Sequence, residues 1–241
     1  NHIELEPLTI TASQQMYRNI LEEMTYSKDM PSDLINQICK TFGGVPLAIK
    51  LSASYVAKCN MPLTTYISAL NNSIFESLNS KSSNKNMEKL ISDAFARCSE
   101  MSKKILAVLG FLALELINED DLIGVMDHED QVALYQALAE LNSLSLIKRK
   151  DQHVGLVHAL IHEYSKETNA IDGQVKLKLI QLFIKYCIEK LNQCKNEEDI
   201  KRYDLGRDQA HIEYLIQSKD CNPVLKLALI HCIGPYYEAT N

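Results

Sequence analysis

Apolar residues recur at helical spacing over most of the chain, with short polar breaks between the runs. Met16, Ile20 and Leu21 make a first stripe before Met24, with Thr11 or Ser13 placed to cap its helix. Leu34, Ile35, Ile38 and Cys39 make a second, started by Pro31-Ser32-Asp33 and ended by Gly43-Gly44, because glycine accepts the left-handed backbone that a helix C-terminus often needs. Pro46 then falls in the first turn of the next helix, where its missing N–H costs little, and Leu47, Ala48, Leu51, Tyr55 and Val56 continue that helix. A short helix around Tyr66 to Leu70 follows Pro62, and residues 72–86, rich in Ser, Asn and Lys, read as an exposed linker.

Four helical segments come next: Met87 to Glu100, Lys103 to Ala113, Glu119 to Met126, and Asp130 to Leu141. Glu119-Asp120-Asp121 places acid at the start of the third, where it suits the helix dipole. The period then changes. Leu144, Leu146 and Lys148 alternate with Ser145, Ile147 and Arg149, a polar turn follows at Lys150-Asp151-Gln152, and Val154-Gly155-Leu156-Val157 forms a second extended run. His158 begins a helix carrying Leu160, Ile161 and Tyr164. Strand, turn, strand and helix make a β-wing beside a helical body, with one histidine at a strand-to-helix junction. That junction is the leading candidate for a functional point.

Asp172-Gly173 breaks the pattern before a long helix from Val175 to Gln193, lined by Leu177, Ile180, Ile184, Cys187, Ile188 and Leu191. Two further helices, Leu205 to Gln217 and Pro223 to Tyr237, look like the start of an α-solenoid, without a fixed-period repeat. At the other end, His2-Ile3-Glu4-Leu5-Glu6 alternates and is stopped by Pro7, which reads as one short strand. Its sheet is expected upstream of Asn1, as in a fragment that starts in mid-fold.

Composition agrees with a helical reading, since Gly and Pro number only 8 and 6 in 241 residues. The net charge of −6 disfavours a broad nucleic-acid surface, which needs clustered Lys and Arg, and leaves room for a local basic patch such as Lys148-Arg149-Lys150. Cys39, Cys59, Cys98, Cys187, Cys194, Cys221 and Cys232 are scattered and odd in number, as expected of reduced thiols in a cytoplasmic protein. No apolar run approaches the ~20 residues of a membrane span.

Catalytic signals are missing. There is no G-x-x-x-x-G-K-S/T loop, no G-x-G-x-x-G, no C-x-x-C and no triad arrangement, so the chain reads as a non-enzyme. His158 and His162 have the i,i+4 spacing of a metal pair, but Ala159 stands where H-E-x-x-H needs its acid and no third ligand is evident. The default for both is a packed or surface histidine, and no metal is expected. Gly43-Gly44-Val45-Pro46 is by default a plain corner between helices. Its functional reading is that Pro46 and the helix start after it offer an apolar edge and free N–H groups to a nucleotide.

Taken in order, three landmarks resemble one family. His2 to Leu8 looks like the last strand and exit of a P-loop domain, Gly43-Gly44-Val45-Pro46-Leu47-Ala48 matches a Gly-Leu/Val-Pro-Leu-Ala motif, and Val157-His158-Ala159-Leu160-Ile161 is similar to a Met-His-Asp motif closing a winged helix. These are the NB-ARC or STAND-type signalling ATPases, the group of apoptosome activators and plant disease-resistance proteins. The resemblance covers about residues 1 to 168. It implies a mainly α fold: the end of a nucleotide-binding domain with a small helical (ARC-type) domain over 1–71, the linker 72–86, a winged-helix domain with a small β-wing over 87–168, and superhelical or repeat-like helices over 169–241.

The resemblance also implies a switch. ADP, or ATP with Mg in the parent chain, would be contacted by Gly44, Pro46 and Leu47 and, at its β-phosphate, by His158. Exchange of ADP for ATP would free the winged helix and expose surfaces for homo-oligomer assembly. Implied partners are a P-loop domain in the same chain and proteins bound through the C-terminal helices, with no membrane and no nucleic acid; the Walker residues are absent, so these residues alone are not expected to hold nucleotide. Ala159 departs from the motif by replacing its acid. The alternatives are a DNA-binding winged helix, which would need a basic recognition helix where Asp130 to Leu141 has no Lys or Arg, and a helical protein-interaction module with a vestigial switch.

Overall fold

A computed structural model describes residues 7–77, 84–126, 131–167, 173–193, 206–218 and 223–240. Over these the chain is mainly helical, with one three-stranded antiparallel sheet. It divides into two compact units, Asn1–Cys98 with Glu140–Leu146 and Ser99–Ala139 with Ile147–Asn241.

The first unit holds α1 (Ile10–Glu23), α2 (Ser32–Thr41), α3 (Pro46–Lys58), α4 (Leu63–Ser77) and α5 (Asn84–Ala96). Its axis is α3, which is buried almost all round, from Ala48 and Ile49 through Leu51 to Ala57. Such a helix must be wrapped by others, and α1 and α5 both pack on it. The strand read from His2 to Glu6 lies outside the described residues. Helix also takes most of the linker expected at 72–86: α4 runs on to Ser77 and α5 starts at Asn84, while 78–83 lie outside the described residues. Leu90, Ile91, Ala94 and Phe95 turn one face of α5 into the core of this unit, whereas the sequence reading placed that helix with the winged helix.

The second unit holds α6 (Glu100–Gly110), β1 (Ile117–Asn118), α7 (Glu119–Val125), the greater part of α8 (Gln131–Ser143), β2 (Ile147–Lys150), β3 (His153–Leu156), α9 (Ala159–Glu167), α10 (Gly173–Gln193), α11 (Gly206–Gln217) and α12 (Pro223–Thr240). Helix, strand, two helices and a hairpin, with strand order β1-β3-β2, is winged-helix topology. Ile117 pairs with Val154, and Ile147 with Leu156. The hairpin closes through Asp151 and Gln152, at φ 49 and 61, the two positive values of a type I′ turn whose twist suits paired strands. Leu144 to Ile147 do not alternate as expected: all four are buried, and the strand begins only at Ile147. In α10, Ile184 and Cys187 are buried as their spacing predicts, and Phe183 is buried beside them.

Four helix ends follow one rule. After α2, Gly43 N–H donates to Lys40 O at 3.1 Å and Gly44 N–H to Cys39 O at 3.4 Å, the paired closure of a Schellman motif. The same pair of bonds closes α1 through Thr25, α3 through Asn60 and α8 through Ser145, all at positive φ. At the helix starts, the expected caps Thr11 and Ser13 are replaced by Thr9, whose hydroxyl accepts from Ala12 N–H at 3.3 Å; Ser13 is fully buried instead. Ser99 caps α6 and Asn118 caps α7 in the same manner.

Two predictions follow from this packing. Gly43 and Gly44 both sit at positive φ, 57 and 73, but a Cβ on Gly43 meets open space while one on Gly44 would strike the Leu8 carbonyl. Gly43→Ala is expected to cost about 1 kcal/mol of left-handed strain, and Gly44→Ala clearly more, by urea unfolding. The second concerns His211, fully buried on α11, where Nε2–H donates to Leu116 O at 3.4 Å and Nδ1 has no partner. Burial holds its pKa below the usual histidine value, against the smaller opposing pulls of the Leu116 carbonyl, Glu115 and Asp121. The unfolded chain therefore takes up the proton first. His211's contribution is complete above about pH 6.5 and is lost as pH falls below that toward the lower folded value. His211→Gln, neutral throughout, should flatten this acid-side loss in unfolding curves taken between about pH 7.5 and 5.

Candidate functional site

The predicted site residues occupy two helix starts, one in each unit. In the first, Gly44 is buried and its carbonyl accepts Leu8 N–H at 2.9 Å, tying the incoming chain to the turn. Val45 is non-helical, at φ −69 and ψ 114, and Pro46 is the first residue of α3. The first bond of the helix runs from Ile49 N–H to Val45 O at 3.1 Å, and no side chain caps this end. The N–H groups of Leu47 and Ala48 therefore precede the helical ladder, at the positive end of the helix dipole. Val45 (40% exposed) and Pro46 face solvent and Leu47 is half-buried, so an apolar edge lies beside those donors.

His158 is exposed and caps α9 with its ring. Leu160 N–H donates to His158 Nδ1 at 3.1 Å, while the His158 carbonyl accepts from Ile161 and His162 N–H, both at 3.1 Å. An Nδ1 that accepts carries no proton, so in the neutral ring the hydrogen is on Nε2. The cap thus selects the tautomer and leaves one ring N–H as a donor beside the helix start.

The helix behind His158 is firmly seated. His162 is buried, donates through Nε2 to Leu112 O at 2.7 Å and meets the Tyr214 ring edge-on with centroids 5.8 Å apart. A Cβ on Gly110 would come within 2.8 Å of Ser165 Cβ, so α6 and α9 approach as closely as backbone allows. His162 is therefore a core histidine, and its Nε2 is spent on a carbonyl. Among the described residues no cluster of three His, Cys, Asp or Glu could hold a metal.

The wing's charges are partly committed. Arg149 makes a two-pronged ion pair with Glu119, 2.7 Å at each prong, and Glu119 is only 8% exposed. The pair holds β2 to the start of α7. Of the three basic wing residues, Lys148 and Lys150 then remain for other contacts. The sequence reading took Glu119 only as a complement to the helix dipole. Its partner lies 30 residues away, and the missed strand β1, two residues long, is too short to show a period.

Of the cysteines among the described residues, Cys39, Cys98 and Cys187 are buried, and burial pushes the Cys39 thiol up to about 11, far from a reactive thiolate. No helix among the described residues is long and apolar enough to cross a membrane. Compared with protein-family models, curated proteins and solved structures, the chain shows no match.

The capping geometry separates two roles of His158. His158→Ala is expected to cost about 1 kcal/mol in urea unfolding through loss of the cap, whereas His158→Asn, a strong N-cap, should leave stability nearly unchanged while removing the Nε2 donor.

Proposed function

We propose that this chain is the regulatory helical and winged-helix part of an ADP/ATP-switched signalling ATPase, coupling nucleotide state to domain rearrangement and oligomeric assembly. The observation that carries the reading is His158: Nδ1 is used by its own helix, and Nε2–H is left as a second donor on an exposed side chain at a helix start, a combination suited to a phosphate oxygen. The Val45-Pro46-Leu47 edge, beside the unspent N–H groups of Leu47 and Ala48, supports the same reading, as a surface for the flat, apolar base of the nucleotide. The phosphate-cradling loop and Mg ligands would come from a P-loop domain. The work is conformational: ADP favours whichever arrangement lets Pro46 and His158 contact it together, and its loss removes that bias.

The DNA-binding alternative is weakened by α8, which carries no Lys or Arg, and by the capture of Arg149 on Glu119. Protein contacts are assigned to α12, where Val224, Leu227 and Ile230 are exposed at 72, 68 and 48%.

The test uses a protein in which this chain is joined to a P-loop nucleotide-binding domain. ADP retained through purification should fall at least about tenfold in His158→Asn, one lost charge-assisted contact being worth roughly 1.5 kcal/mol or more, with unfolding stability unchanged. Equal ADP content in wild type and variant, measured by chromatography of the denatured protein, would sink the proposal.

A further inference from the structure

The first unit contains a cavity of about 160 Å³ that neither helix start uses. Its floor is the buried Phe42, Tyr66 and Leu90, and Tyr55 forms a wall, with the Tyr55 and Tyr66 ring centroids 6.0 Å apart. The cavity opens to solvent on one side, where Thr65, Ala69, Lys89, Asp93 and Arg97 are exposed, and closes on apolar side chains at the other. Its volume is enough for one aromatic ring rather than for a larger ligand.

The rim is charged and exposed. Arg97 at the end of α5 lies over the Tyr55 ring, its guanidinium carbon 4.9 Å from the centroid. One of its N–H groups reaches Cys59 Sγ at 3.8 Å, a weak acceptor, and it makes no ion pair among the described residues. Lys89 and Asp93 share the rim. An arginine held over an aromatic ring, with most of its planar donor set unspent among the described residues, is arranged to receive a carboxylate.

We propose that this cavity is a binding site for a small aromatic monocarboxylate, its ring between Phe42, Tyr55 and Tyr66 and its carboxylate on Arg97. Apolar enclosure with a few convergent polar groups is the usual form of a small-molecule site. The proposal stands apart from the nucleotide reading, since Pro46, Leu47 and His158 do not line the cavity.

Saturation-transfer NMR on the whole chain tests it with benzoate, acetate and benzylamine as probes. Benzoate is expected to bind saturably in the millimolar range, acetate not at all, and benzylamine roughly tenfold or more weakly than benzoate, because it carries the wrong charge to Arg97. Arg97→Gln should weaken benzoate roughly tenfold, and Ala69→Phe, which fills the cavity from the exposed side of α4, should abolish it. The second variant keeps the test decisive if loss of the Tyr55 stack unfolds the first. No saturable benzoate, equal binding of benzoate and benzylamine, or wild-type affinity in a folded variant would overturn the proposal.

Discussion

A helix ends with carbonyls that have no partner within it, and a chain made of short helices meets this cost at every corner. Here four corners share one solution: two N–H groups turn back onto the last helical turn after a residue in left-handed backbone. Only the corner after α2 uses glycine. Thr25, Asn60 and Ser145 accept a strain of about 1–2 kcal/mol each that glycine would avoid. At Ser145 the strain is offset, because its buried hydroxyl lies 2.7 Å from that of Ser54. The geometry of the corners fixes where each following helix starts, and helix starts are where the chain offers chemistry.

Those starts fall into two groups. At α1, α6 and α7 the side chains of Thr9, Ser99 and Asn118 accept one first-turn N–H each, from Ala12, Ser102 and Asp120. At α2 and α3 no side chain caps the end, and at α3, with Pro46 in the first position, the next two donors have no partner among the described residues. At α9 the cap is a ring rather than a short side chain, and a ring has a second nitrogen. His162 on Leu112 and Ser165 against Gly110 hold α9 in place, so the direction of the His158 ring N–H is set before any ligand arrives. A donor aimed in advance loses little entropy on binding, unlike the exposed lysines of the wing.

The parts of the fold legible in the sequence were those with a period or a glycine. The stripe of Leu34, Ile35, Ile38 and Cys39, the Gly43-Gly44 stop, Pro46 in a first turn and the strand–turn–strand before His158 all rest on local rules. The closures at Thr25 and Ser145 were not legible, since neither residue type favours left-handed backbone by itself. Burial of all four residues from Leu144 to Ile147 also escaped the reading, because Leu144 to Leu146 form the closing turn of α8 rather than a strand and follow no period of two. At the site, sequence spacing placed His158 and His162 on one helical face. Only the fold shows that one faces solvent and the other a buried carbonyl. The same holds for Arg97, an ordinary surface arginine by sequence, which gains its meaning from the ring of Tyr55.

Ala159 bears on how the proposed switch would be held. It is exposed at the first position of α9, next to the N–H groups that carry the helix's positive end. An acid there would be stabilised by that dipole and would sit where an anion binds, competing for the same field while lending the closed state a contact of its own. With alanine, the field at this end is left to an incoming anion. On the proposed reading, the closed arrangement then depends on the nucleotide more than on an internal polar lock, and its stability rises and falls with ligand occupancy.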